Sequence, residues 1–350
     1  MNCTERITAA LTGTMPDCVP YIYNCVDASI QEGILGHPIS EPTINDRNVW
    51  GALVTPGTDA IVEPALTVVP DVARRLKLDA VGIQVLPPLY AEISEHEGRT
   101  SIRDGLLTSR EALKKIKLPD PDDNKLYRKI ENMLSMYKQE FAVYARVRLG
   151  AAPTLLSMGM NGFAFALVDD PGLVSDVLSL YSKWSRRVSQ NLSKLCFDFF
   201  WCFDDIAYKT SPLFSLETLR QYFLPALQTA AAGISKPWIF HSDGNLLPIL
   251  DDLLTLGMNG LHPLEPGAMD LEILKKNYGQ RICLVGNVDV DSVLSRGKRA
   301  DVFREVNERI TQLSAGGRYI ISDSNSVPAY CRCENVIAMA EAVEKYRFVY

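Results

Sequence analysis

The sequence predicts an α/β chain folded as a (β/α)8 TIM-type barrel with extended early βα loops. Three observations predict it. Eight short β-rich runs alternate with longer helical patterns, the signature of βαβ units around a parallel sheet. The last runs, among them Trp238-Ile239-Phe240, Ile282-Cys283-Leu284-Val285 and Tyr319-Ile320-Ile321, carry almost no polar alternation, as strands buried on both faces require. The length, 350 residues, is one that an α/β barrel holds as a single domain, so 1–350 reads as one barrel. A doubly wound open sheet is the alternative.

In chain order, strands are expected over 19–24, 80–86, 141–149, 197–204, 237–241, 260–263, 282–287 and 319–322. Amphipathic segments over 246–256, 271–278, 300–313 and 334–346 connect the later strands and read as helices with one face on the sheet. The first half is looser, with 27–79 and 87–140 as elaborations. They hold expected helices over 63–76 and 124–138 and a hairpin over 91–108. In that hairpin Glu95-His96-Glu97-Gly98 turns the chain and the Ser94, Thr100 and Ile102 side pairs. The Pro- and Asp-rich stretch 117–124 reads as a surface loop. No internal repeat or low-complexity tract stands out.

Composition excludes several classes. Hydrophobic residues make up 47% and charged residues 22%, which removes disordered and fibrous readings. The net charge is −6 with no long Lys/Arg run, which argues against a nucleic-acid surface. Each apolar stretch is broken by Asp, Glu or Pro before a bilayer-spanning length, and the start, Met1-Asn2-Cys3-Thr4-Glu5-Arg6, lacks a signal core. Eight scattered cysteines fit reduced thiols, so a cytoplasmic protein is expected.

A barrel gathers its chemistry at the C-terminal ends of its strands. Those positions are Asn24, Gln84, Asp204-Asp205, His241-Ser242-Asp243, His262 with Glu265, Asn287 with Asp289, and Asp323 with Asn325. The sharpest group is Phe240-His241-Ser242-Asp243-Gly244-Asn245. Its imidazole and carboxylate, two residues apart beyond a buried strand, suit one metal or one substrate. The bland alternative is a His held by a backbone carbonyl and an Asp capping the next helix. Glu265, followed by Pro266, is a third candidate ligand, against a rim ion pair; Asp289 reads as a helix cap. Asp204 and Asp205 must point opposite ways, so only one faces the mouth. Cys331-Arg332-Cys333 suits a soft metal, but free buried cysteine is as ordinary. No dinucleotide fingerprint, Walker A sequence or nucleophile elbow occurs.

Taken in order, Asp204-Asp205-Ile206-Ala207, His241-Ser242-Asp243-Gly244-Asn245, His262-Pro263-Leu264-Glu265-Pro266, Gly286-Asn287-Val288-Asp289, Gly316-Gly317-Arg318-Tyr319-Ile320-Ile321 and Glu334-Asn335 resemble the uroporphyrinogen decarboxylase superfamily. The resemblance covers about 163–346 well and the first 150 residues weakly. It implies a TIM-type barrel and two branches of activity. Tetrapyrrole decarboxylases carry an arginine-rich N-terminal signature for the carboxylates, whereas 15–26 here has no arginine. The other branch comprises cobalamin-dependent methyltransferases that work with a separate corrinoid protein. Its thiol-alkylating members hold zinc through His-x-Cys and a later Cys, positions that read His241-x-Asp243 and Asn325 here.

Oxygen in place of sulfur argues against a thiolate-activating zinc, leaves a harder site and favours a demethylating role, where a leaving oxygen needs Lewis or Brønsted help. The resemblance therefore implies methyl transfer from a small methylated donor, a methoxylated aromatic, to the Co(I) corrinoid of a partner protein. The expected catalytic residues are His241, Asp243 and Asp204. Asn24, Tyr23, Asn287 and Asn325 are expected to bind substrate, and His241, Asp243 and Glu265 to bind zinc. Tyr21, Trp50, Phe163 and Phe165 are further pocket candidates, with core packing as the alternative. Expected partners are the corrinoid protein, the small donor and a second copy of the chain, with no nucleic acid or membrane. A tetrapyrrole decarboxylase, a methylcobamide:thiol methyltransferase and a non-catalytic corrinoid or tetrapyrrole carrier are the other readings.

Overall fold

The computed structural model describes residues 1–45, 48–96, 99–137 and 140–350. Eight strands make one sheet: β1 (Ala65–Leu66), β2 (Ala80–Gln84), β3 (Ala142–Val147), β4 (Phe199–Phe203), β5 (Trp238–His241), β6 (Gly260–His262), β7 (Cys283–Val285) and β8 (Tyr319–Ile320). They stand side by side in chain order. Every neighbouring pair from β2 to β8 is parallel, and β1 lies antiparallel on β2. Parallel neighbours need crossover connections, and adding each strand on the same side curls the sheet in one direction. The result is a mixed α/β fold around a curled eight-stranded sheet.

Helices fill the crossovers. Asn124–Ser135 starts where Asp123 accepts the amide of Lys125, and it buries Leu126, Ile130, Met133 and Leu134, a stripe at helical spacing. Leu271–Tyr278, Arg299–Leu313 and Cys333–Tyr346 lie where the pattern placed them. Among the described residues no single helix is long and apolar enough to cross a membrane. A small separate sheet pairs Leu53–Val54 with a hairpin of Leu89–His96 and Arg99–Gly105. That hairpin was expected; Glu97 and Gly98 of its turn lie outside the described residues.

Two expectations need correction. The helix expected over 63–76 begins only at Pro70, and β1 precedes it. Pro70 disfavours the helical conformation at Val69, and Thr67-Val68-Val69 is a β-branched run, so the chain stays extended until the proline opens the helix. The strand expected over 19–24 is not regular. It forms single parallel bridges, Tyr21 with Ile321 and Val26 with Val327. Ile22 donates to the Ile321 carbonyl at 3.2 Å, and Asp79 donates to the Tyr21 carbonyl at 2.8 Å. The segment thus touches both β8 and the start of β2. Pro20 has no N–H, and the Tyr21 amide is taken by a side chain, so a continuous ladder cannot form.

That side chain is Asp79. Its carboxylate accepts from the Tyr21 amide at 2.8 Å and from Arg6 at 2.5 Å, and it pairs with Arg347. Arg347 also donates to the Val19 carbonyl at 3.0 Å. One buried carboxylate therefore ties the first helix, Cys3–Thr12, the 19–26 segment and the C-terminus together.

The concave face of the sheet is packed in layers by the period of two along each strand. Ala80, Ala142 and Phe199 are followed by Tyr144, Trp201 and Ile239, with Ile7, Ala10 and Leu11 of the first helix and Ile22 in the same apolar cluster. Gly82 is glycine because a Cβ there would lie 2.1 Å from the Tyr144 ring. The Tyr144 hydroxyl in turn sits 2.8 Å from the carbonyls of both Tyr23 and Asn24, so it fixes the 19–26 segment from inside. The next inward positions are polar: Gln84, Arg146, His241 and His262, around Phe203.

Asp79→Ala is expected to destabilise the chain by about 3 kcal/mol, because it takes the buried carboxylate from Arg6, Arg347 and the Tyr21 amide and leaves the two guanidinium groups only their outer carboxylate partners, Asp17 and Glu344. The midpoint of urea unfolding measures this, and an unchanged midpoint would show that the ends of the chain do not depend on Asp79.

Candidate active site

The polar layer opens into a cavity of about 550 Å³ at the C-terminal ends of the strands, within the size range of small-molecule sites. His241 ends β5 and His262 ends β6, paired in parallel register. Their rings stack at 4.8 Å, and their Nδ1 atoms lie 2.6 Å apart. His262 Nε2 is 3.1 Å from the carbonyl oxygen of Asp323, which can only accept. His262 Nε2 therefore carries the proton, its Nδ1 accepts, and His241 donates from Nδ1. The lone pair of His241 Nε2 is left facing the cavity. Burial holds both imidazoles neutral, with His241 pulled down to about 4.

Two carboxylates meet that lone pair. Asp205 Oδ1 is 3.6 Å and Asp243 Oδ1 is 3.7 Å from His241 Nε2. Among the described residues, Asp205, His241 and Asp243 form the metal-capable group, with donor atoms within 4.8 Å of one another. Asp243 Oδ2 accepts from the Asn325 amide at 2.6 Å, while buried Oδ1 has no partner. Burial, then the charges of Asp205 and Glu265, push the Asp243 carboxyl well above the usual carboxylate range. A neutral imidazole lone pair beside two carboxylates calls for a cation or a proton between them. The N/O donor set suits a divalent ion with open positions left for a ligand.

The turn that carries Asp243 is tightly built. Gly244 has φ +90°, and a Cβ there would lie 2.6 Å from the Ala207 carbonyl carbon, so the loop after β4 packs directly on it. Glu265 Oε2 accepts from the Gly244 amide at 2.8 Å, and its Oε1 lies 3.5 Å from Lys209. Glu265 thus lines the cavity and props the turn, while Asp205 takes the place in the donor triangle expected of Glu265.

Other sequence-based expectations separate in the same way. Asn24 and Asn325 both line the cavity; Asn24 accepts from Arg146 at 2.9 Å and donates to the Asn325 carbonyl at 3.0 Å. Asp204, expected to be catalytic, faces away from the mouth. It accepts from the amides of Leu149 at 2.5 Å, Gly150 at 3.2 Å and Ala152 at 2.6 Å, capping the helix Ala151–Met158. Alternation allows one of the pair to face the mouth, and the three free amides hold Asp204 on the other side. Tyr23 is buried away from the cavity, its hydroxyl beside Tyr21 and the Met339 sulfur. It faces the last helix because Asn24 takes the inward position. Asn287 donates to the Leu264 carbonyl at 2.6 Å and so serves the loop after β6 rather than the cavity. Phe163 is core, packed on Phe214 and Phe223, and Phe165 is exposed. Trp50 lines the cavity. Asp289 caps the helix Val290–Ser295. Cys331 and Cys333 turn to different carbonyls, those of Val290 and Ile30, each at 3.7 Å.

Among the cavity residues that escaped the sequence analysis, two carry buried charge. Arg146 and Arg148 line the inner wall, with their guanidinium carbons 3.7 and 4.4 Å from the Phe203 ring centre. Their signal was present: two arginines at i and i+2 in an otherwise apolar strand share one face.

The chain belongs to the uroporphyrinogen decarboxylase (URO-D) family, whose sequence profile matches residues 67–346. Among solved structures it is similar to a methyltransferase from Methanosarcina mazei, at 18% identity and a TM-score of 0.71, over 99% of each chain. A B12-independent methionine synthase from Shewanella sp. W3-18-1 matches at 10% identity and a TM-score of 0.38, over 77% of this chain and 73% of that one. No curated protein sequence matches significantly.

Titration with Zn²⁺ or Co²⁺ is expected to show one ion per chain. Asp205→Asn and Asp243→Asn should each weaken it at least about tenfold, and His262→Phe, by releasing the His241 tautomer, about 10- to 100-fold. Glu265→Gln should change it least. Calorimetry reads these affinities, and a loss confined to Glu265→Gln would return that residue to the ligand set.

Proposed function

We propose that this chain is a methyltransferase that moves a methyl group from a small methylated donor, a methoxylated aromatic, to the Co(I) corrinoid of a partner protein. The observation that carries the reading is the outward lone pair of His241, held by His262 and flanked by Asp205 and Asp243 at the edge of an open cavity. Family membership and the full-length likeness to a methyltransferase fold support it. We take 1–350 as one cytoplasmic (β/α)8 barrel domain, with the 19–26 segment filling the gap between β8 and β2.

In this reading the corrinoid supplies the two-electron nucleophile. The methyl carbon–oxygen bond of the donor breaks with its electron pair left on oxygen, and that oxygen needs a proton or a positive charge. Asp243, whose acid form is favoured by burial and by neighbouring carboxylates, can donate the proton. A divalent ion on Asp205, His241 and Asp243 would instead displace that proton and act on the same oxygen as a Lewis acid. Asn325 holds Asp243 in place, and His262 holds His241. The cavity keeps donor and incoming nucleophile aligned, which in-line displacement requires. With Asn325 donating to Asp243, the oxygen-rich group fits a thiol-activating zinc site poorly.

The test mixes the protein with a reduced corrinoid protein and a panel of methoxyarenes, following loss of the Co(I) absorption. His241→Ala should cut the rate at least about 100-fold. Silence across the panel, with carbon dioxide released from uroporphyrinogen, would assign the cavity to a decarboxylase instead.

A further inference from the structure

The cavity holds a buried charge that, among the described residues, no side chain answers with a hydrogen bond. Arg148 is buried at 2% exposure and lines the cavity wall. Its Nε has no hydrogen-bond partner. Among the described residues its guanidinium meets only the faces of Phe203, at 4.4 Å, and Trp50, at 6.0 Å. Burial pulls it down to about 10, against the fields of Asp204 and Asp205, so it stays charged at neutral pH. Arg146 beside it is different. It is tied to Asn24 at 2.9 Å and to the Gln84 side chain, so its Nε and Nη1 are already engaged by neutral amides.

A buried guanidinium without a hydrogen-bonding partner carries a desolvation penalty that aromatic faces offset only in part. Its planar fork matches a carboxylate, which would form two parallel charge-assisted hydrogen bonds. Arg148 shares an inward face with Arg146, and both lie over Phe203, so an anion on Arg148 also gains from the second charge. The His241, Asp205 and Asp243 group lines the same cavity, and His241 stands on the far side of the Phe203 contact, with ring centres 6.4 Å apart.

We infer that the ligand of this cavity is a small carboxylate, its anionic head taken by Arg148 with Arg146 behind it and its body lying against Phe203 and Trp50. The inference rests on the proposed substrate site and narrows its donor to a methylated carboxylic acid; it does not depend on which reaction follows. His241 and Asp243 line the same cavity, so an acid held by Arg148 shares it with the groups that would meet the leaving oxygen of the proposed reaction.

Matched pairs test it by calorimetry on the full chain: 4-methoxybenzoate against 4-methoxybenzamide, and methoxyacetate against methoxyacetamide. The carboxylate of at least one pair should bind about tenfold or more tightly than its amide. Arg148→Met should erase that preference while leaving the amide affinity in place, and Arg148→Lys should keep part of it. Circular dichroism and the unfolding midpoint establish that Arg148→Met is folded; should it not fold, the wild-type pairs and Arg148→Lys decide. Carboxylates binding no better than their amides in both pairs, or an Arg148→Met chain that keeps the preference, would overturn the inference. An Arg148-dependent preference with no methyl transfer to the corrinoid would remove the methyltransferase reading and keep this one. Methyl transfer from neutral methoxyarenes with no carboxylate preference would do the reverse.

Discussion

Side chains on the concave face of the eight-stranded sheet alternate, one inward for one outward, and that constraint decides what stands at the mouth. The inner positions of β2, β3 and β5 are apolar until the last residues of each strand, where Gln84, Arg146 and His241 appear around Phe203 of β4. The apolar layers exclude water beneath them, so the polar layer can find partners only among its own members and at the open end. This is why Asn24 meets Arg146, and why the two histidines meet each other.

The same enclosure makes the layer electrically unfinished. Asp79 at the opposite end is saturated by Arg6, Arg347 and the Tyr21 amide. At the mouth, Asp243 Oδ1, the His241 lone pair and the Arg148 fork have no complete set of partners. Buried polar groups are costly when left unpaired. A stable end and an unfinished end in one sheet therefore divide the labour between folding and binding.

Family membership fixes less chemistry than the side chains do. A fold hosts many reactions, and its sites carry the function. Here that chemistry lies in the carboxylate of Asp243, the amide of Asn325 and two arginines, Arg146 near the end of β3 and Arg148 just beyond it. Together they describe a cavity with a proton- or metal-ready group and an anion-ready group. The methyl-transfer reading and the carboxylate reading draw on different side chains of that cavity, so each stands or falls by its own measurement.

The sequence alone determined the order of the seven strands of the main sheet from residue 80 onward and of the later helices, because buried parallel strands and amphipathic crossovers leave patterns a few residues long. It also placed His241, Asp243, Glu265, Asn24 and Asn325 near one another, since ends of neighbouring parallel strands share one rim. It did not determine which of Asp204 and Asp205 faces the mouth. That depends on three amides after β3, some fifty residues earlier in the chain. Nor did it place Tyr23 against Met339 or give Glu265 its task under Gly244, because those contacts join distant segments. The tautomer of His241 is the clearest case. It is set by His262, which is set by the Asp323 carbonyl, sixty-one residues further along, and only the tertiary structure brings those three atoms into line.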